Sequence, residues 1–217
     1  MTRILAIDTS HEICTVALSV GERMEFLVSD SPRQHARQLL PMISELLAMQ
    51  NLSTSDLDAI ALIIGPGSFT GLRIGAGVAQ GLSYGTGVPV FCVSSLAVMA
   101  MKAHLEHACD IVNVCLQARD DEVYAACYQI LEDTPVLLGA EQVCSPADAA
   151  FTVPGFAAGD GWKLLREDER SQQVMLDCQS DAMVLSRVAS ALLRNGQGVA
   201  ATAVLPVYLK EQMDYKN

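Results

Sequence analysis

Two short runs in this chain carry residue types able to hold a charged group. Asp8-Thr9-Ser10 closes an apolar run over residues 3–8 and sets one carboxylate beside two hydroxyls, polar groups that could contact a nucleotide. Gly65-Pro66-Gly67-Ser68-Phe69-Thr70-Gly71-Leu72-Arg73-Ile74-Gly75 follows a second apolar run over residues 59–64. Gly65 and Gly67 open backbone geometry closed to other residues, and the amides that begin a helix around Ser68 to Thr70 point a partial positive charge outward. Gly67, Ser68 and Thr70, with Asp8, Thr9 and Ser10, are therefore candidate anion- or nucleotide-binding residues. The same residues also suit a plain strand-to-helix turn in which Ser68 is the N-cap and Asp8 caps its own turn. No Gly-Lys-Ser/Thr follows, so the turn is not a P-loop, and its glycine spacing is not that of a dinucleotide fingerprint.

Other chemistry is sparse. The seven cysteines are scattered, odd in number and free of any CxxC pair, and they are expected to be reduced packing residues. Of the four histidines, only His104 and His107 stand close together. They are three apart at a helix end, with Glu106 and Cys109 alone beside them, so no metal site is expected there. No nucleophile with a partner base and no matched pair of buried carboxylates is evident, and no catalytic residue is assigned.

The elements that would position these residues follow from periodicity. Strands are predicted over residues 3–8, 14–20 and 24–29, a helix with an apolar stripe over 33–50, a buried strand over 59–64, a helix over 69–84, a strand over 88–93 and a helix over 94–107. The pattern then restarts with strands over 110–117, 122–129 and 136–138, joined by the turn Arg119-Asp120-Asp121. A short helix over 147–151, a glycine-rich turn over 155–161, a helix over 181–194 and a short apolar segment over 205–209 complete the reading. The expectation is an α/β protein of two lobes, residues 1–107 and 108–217, each a mixed sheet with flanking helices.

The helix after the glycine turn is unusual. Gly71, Gly75 and Ala79 form one row at spacing four, and Gly77, Gly81 and Gly85 a second. Each glycine costs about 1 kcal/mol of helix propensity, so tertiary contact must hold the helix, either with the lobe's own sheet or with a neighbouring helix of another subunit. The helix over 33–50 carries Leu39, Met42, Ile43, Leu46 and Met49 over more than one narrow face, and methionines suit adaptable interfaces as well as cores.

A formal net charge of −11 opposes direct binding to a nucleic-acid backbone. No run approaches the ~20 apolar residues that cross a bilayer. A soluble cytoplasmic protein is expected, with no membrane partner.

Asp8-Thr9-Ser10 followed by a hairpin resembles the opening of the actin, hexokinase and Hsp70 (ASKHA) superfamily. Together with Gly65 to Gly75, Ala118-Arg119-Asp120-Asp121-Glu122-Val123-Tyr124, Gly159-Asp160-Gly161 and Pro206-Val207-Tyr208-Leu209, the chain is identified as resembling the bacterial TsaB (YeaZ) family along essentially its whole length. The resemblance implies a non-catalytic subunit needed to form threonylcarbamoyladenosine beside the anticodon of tRNAs that read codons beginning with adenine. Its implied partners are the transferase TsaD, the ATPase TsaE and, in isolation, a second copy of itself, with tRNA met only through the complex. It implies a partner interface on the two helices, at Leu39, Met42, Ile43, Leu46, Gly71, Gly75, Gly77, Ala79 and Gly81. No cofactor is implied for this chain, beyond weak ATP or ADP contact at that interface. The TsaD metal motif HxxxH is lacking, and His35 stands about where its remnant falls. The competing expectation is a small ATPase or kinase of the superfamily, or a peptidase, acting alone.

Overall fold

The computed structural model describes residues 1–119, 121–151, 153–165, 174–196 and 198–209; Asp120 of the expected turn lies outside them. In chain order the elements are β1 (Arg3–Asp8), β2 (Thr15–Val20), β3 (Arg23–Val28), α1 (His35–Met49), β4 (Ala59–Gly65), α2 (Phe69–Thr86), β5 (Val90–Ser94) and α3 (Ser95–His107). There follow β6 (Ile111–Gln117), β7 (Val123–Leu131), β8 (Thr134–Leu137), β9 (Gln142–Cys144), β10 (Phe156–Ala158), β11 (Val174–Met175) and α4 (Ala182–Arg194).

These form two compact units, Met1–Ser94 with Asp181–Val207, and Ser95–Ser180 with Tyr208–Asn217. The first holds a sheet ordered β3-β2-β1-β4-β5. Strands β1 to β3 are an antiparallel meander, while β4 and β5 add in parallel. Alternation along β1 and β2 turns Leu5, Ile7, Val16 and Leu18 to one side, where they join Leu39, Ile43 and Leu46 of α1 and Ala76 and Ala79 of α2 in one core. Thr15 and Ser19 meet α4 instead: Thr15 Oγ1 accepts from the Ala182 amide (2.9 Å) and Ser186 Oγ donates to Ser19 Oγ (3.0 Å).

The second unit repeats this logic. Its sheet runs β11-β10-β6-β7-β8, again an antiparallel meander extended by parallel strands, with β9 on β7 and α3 packed on β6, β7, β8 and β10. Each unit is thus a mixed sheet flanked by helical elements, as expected.

The chain division differs from the expected one at 107/108. It falls at Ser94/Ser95, because the apolar residues of α3 cover the second sheet, and Asp181–Val207 returns to the first unit because α4 covers the first. No helix forms over 147–151; residues 146–148 turn, with Ser145 Oγ donating to Asp148 Oδ2 (2.7 Å). The glycine-rich run 155–161 contains strand β10. A Cβ on Gly155 would lie 2.8 Å from the Ile111 carbonyl oxygen, so the glycine lets β10 approach β6.

Helix α4 begins at Asp181, whose extended backbone lets Oδ1 accept from the Val184 amide (2.9 Å). Asp181→Ala is expected to cost about 1 kcal/mol, read as a lower urea midpoint at unchanged slope. An unchanged midpoint would show that the Thr15 contact alone caps the helix.

Candidate functional site

The two runs that could hold a charged group lie against each other. Asp8 Oδ1 accepts from both the amide (2.8 Å) and the hydroxyl (2.6 Å) of Ser10. The Ser10 carbonyl accepts from the Ser68 amide (2.7 Å), and Ser68 Oγ accepts from the Gly71 amide (3.3 Å). The glycines make this close approach available. A Cβ would stand 2.6 Å from the Ser10 oxygen at Gly67, 2.0 Å from the Thr9 oxygen at Gly71 and 2.3 Å from Thr9 Oγ1 at Gly75. Gly65, at φ +132°, likewise admits the Val207 carbonyl at 2.6 Å from where its Cβ would be. The glycine track is a seat for the unit's own backbone, and the Ser68 and Gly71 amides donate within the chain. Asp8, Thr9 and Ser10 are buried, Gly67 half-buried, and Ser68 and Thr70 exposed.

The second glycine turn is used the same way. Asp160 Oδ1 accepts from the Gln117 amide (2.8 Å), and Cβ atoms at Gly159 and Gly161 would meet the Cys115 oxygen and sulfur at 2.3 and 2.7 Å.

Imidazoles and thiols are likewise taken up locally. His35 is buried with Nε2 2.7 Å from the His11 carbonyl, His104 Nδ1 lies 2.9 Å from the Cys109 carbonyl and 3.7 Å from Asp110, and His107 stacks on Phe156. Among the described residues no group of three His, Cys, Asp or Glu side chains could hold a metal ion. Burial pushes the Cys92 thiol up to about 11 and Cys115 to about 12. At pH 8 a thiol at 12 holds about 10⁴-fold less thiolate than thiol. Cys115 in the native chain is therefore expected to resist iodoacetamide at pH 8 and to react on unfolding, read by peptide mass spectrometry. Native alkylation within minutes would overturn that assignment.

The structure divides the residues expected at the partner interface. Leu39, Met42, Ile43 and Leu46 face the unit's own sheet, and Gly71, Gly75 and Ala79 are buried beside them, so these side chains are core. Their apolar stripe is what folds α1 and α2 onto the strands. Gly77 and Gly81 point the other way, and a Cβ on either meets nothing within 4 Å. Also exposed are Leu40 and Met49 of α1, each 55%, and Phe69 and Tyr84 of α2, the tyrosine 84%. Arg73, the single charged residue of α2, sets its guanidinium carbon 3.6 Å from the Phe69 ring centre. Tyr84 was legible as an aromatic out of phase with the buried row, but only the fold shows which row is buried.

Residues 29–194 match the family model for TsaD, tRNA N6-adenosine threonylcarbamoyltransferase. The tRNA threonylcarbamoyladenosine biosynthesis protein TsaB of Haemophilus influenzae is 33% identical over 98% of this chain and 95% of its own, and that of Escherichia coli 34% over 99% and 97%. Two solved structures of Pseudomonas aeruginosa proteins, one described as YeaZ and one as an uncharacterized protein with similarity to peptidase YEAZ, are 38% identical. Their TM-scores are 0.89 and 0.90, with 96% of this chain and all of theirs aligned. Identity of 33 and 34% to TsaB proteins over nearly the whole of both chains places the chain in the TsaB (YeaZ) family.

Proposed function

We propose that this chain is a docking subunit in the formation of threonylcarbamoyladenosine on tRNA, binding a TsaD-type transferase through the outward face of α1 and α2 and contributing no catalytic group. The observation that carries this reading is helix α2: its eighteen residues carry one charge, and its exposed side has open glycines at 77 and 81 and aromatics near both ends. A solvated helix ordinarily keeps charge on its outer face, whereas the centre of an interface is depleted of it. Open glycines let a second helix come close, and a TsaD-type subunit, whose family model matches this chain, can offer an equivalent helix pair. The interface would bury on the order of 1,000 Å² or more, and a second copy would occupy it when the transferase is absent.

In this reading the partner transfers the threonylcarbamoyl group to the adenosine beside the anticodon, a TsaE-type ATPase joins the complex in the cytoplasm, and the acidic chain meets tRNA only through the assembly. Any ATP or ADP contact lies where the subunits meet. The test is tRNA modification by the TsaD-type partner with and without this chain, alongside light scattering of the mixture. A partner that reaches full rate alone overturns the reading. So does ATP turnover by the purified chain that Asp8→Asn abolishes, which would favour an enzyme acting by itself.

A further inference from the structure

The charge-poor surface does not end at α2. Residues 198–207, Gly-Val-Ala-Ala-Thr-Ala-Val-Leu-Pro-Val, contain no charged side chain in a chain that is 18% charged, although Ala200, Thr202, Ala203 and Leu205 are exposed.

The segment is held in place along its length. Val199 exchanges two backbone hydrogen bonds with Val90 at the edge of β5 (2.9 and 2.8 Å). The Val204 carbonyl accepts from Gln80 Nε2 of α2 (2.6 Å), and Val204 is fully buried. The Val207 amide donates to the Ile64 carbonyl (2.8 Å), which brings the strap beside the glycine turn at Gly65. The strap therefore runs alongside α2 from the level of Gln80 to the start of the helix. Between two anchored neighbours, Leu205 shows 65% of its surface to solvent. A leucine fixed outward on a pinned backbone loses little freedom on being covered, which favours a contact residue.

We infer that this strap is the third element of the docking surface and that Leu205 is its anchor against the TsaD-type subunit. The inference rests on the docking reading proposed above. The strap borders the charge-poor side of α2, where Arg73 is the one charge, so a partner helix lying over Gly77 and Gly81 reaches it.

The experiment is a binding titration of this chain with its TsaD-type partner for wild type, Leu205→Glu, Leu205→Met and Gly81→Trp, with urea unfolding of each variant. Leu205→Glu is expected to weaken the complex about tenfold or more at an unchanged unfolding midpoint, and Leu205→Met to bind within about threefold of wild type. Wild-type affinity for Leu205→Glu beside weak binding by Gly81→Trp would overturn the strap's role and leave the helix face standing. Wild-type affinity for both variants would overturn the docking reading together with the strap. Weak binding by Leu205→Glu with a lowered midpoint would assign Leu205 to folding and overturn its role as an anchor.

Discussion

Gly71→Ala is expected to lower the stability of the first unit by about 3 kcal/mol or more, although the change adds a single methyl group and replaces a poor helix former with the best one. The new Cβ would stand 2.0 Å from the Thr9 carbonyl oxygen, far inside contact distance. Relief is not local. Thr9 sits between Asp8, whose carboxylate is bonded to Ser10, and Ser10, whose carbonyl accepts from Ser68, so moving the oxygen pulls apart the turn that joins β1 to the start of α2. The propensity gain of about 1 kcal/mol cannot offset that. Gly77→Ala is the internal control: its Cβ meets nothing within 4 Å, so the same chemical change is expected to be neutral or to stabilise by up to about 1 kcal/mol. Urea titrations of the two variants at equal slope decide the matter. A Gly71→Ala midpoint equal to wild type would mean that the β1–β2 loop does not rest on the helix as described.

The contrast between those two glycines also marks what the sequence could and could not reveal. Strand β1, the meander and helix α1 were legible because buried residues recur at the period of each element, and Leu39, Ile43 and Leu46 announce a stripe. The two small-residue rows of α2 were legible as rows. Which one faced the sheet was not, because glycine carries no hydrophobic label; only the position of Thr9 and Ser10 in space settles it. The same limit moved Leu39, Met42, Ile43 and Leu46 from the expected interface into the core, since a stripe that folds a helix and a stripe that binds a partner look alike in one dimension. Strand β10 is three residues long between glycines, so local composition predicts a turn; its pairing with β6 spans more than forty positions of sequence. For α3, proximity along the chain suggested the first lobe, whereas its apolar face fits the second sheet.

Gly81→Trp is expected to weaken the complex with a TsaD-type partner on the order of a hundredfold, about 2.7 kcal/mol, while leaving the chain folded. The free chain can accept the indole because Gly81 is exposed and a Cβ there meets no atom outside its own helix backbone within 4 Å, and tryptophan is a better helix residue than glycine. Any destabilisation measured in the isolated chain should therefore be small. On the docking reading proposed above, the ring would stand where a second helix backbone approaches, beside the open glycines Gly77 and Gly85. Gly81→Ala adds only a methyl group there and is expected to weaken binding less than tenfold. Gly75→Trp would be a poor test of docking, since that site faces Thr9 and Leu62 inside the unit and the substitution would unfold the chain before it met a partner. The readouts are affinity by titration, mass by light scattering and threonylcarbamoyladenosine content of tRNA at subunit concentrations near the dissociation constant. Loss of all three with a wild-type unfolding curve is the signature of an interface. Full modification by Gly81→Trp would move the docking surface off α2 and leave its glycine row without a partner to explain it.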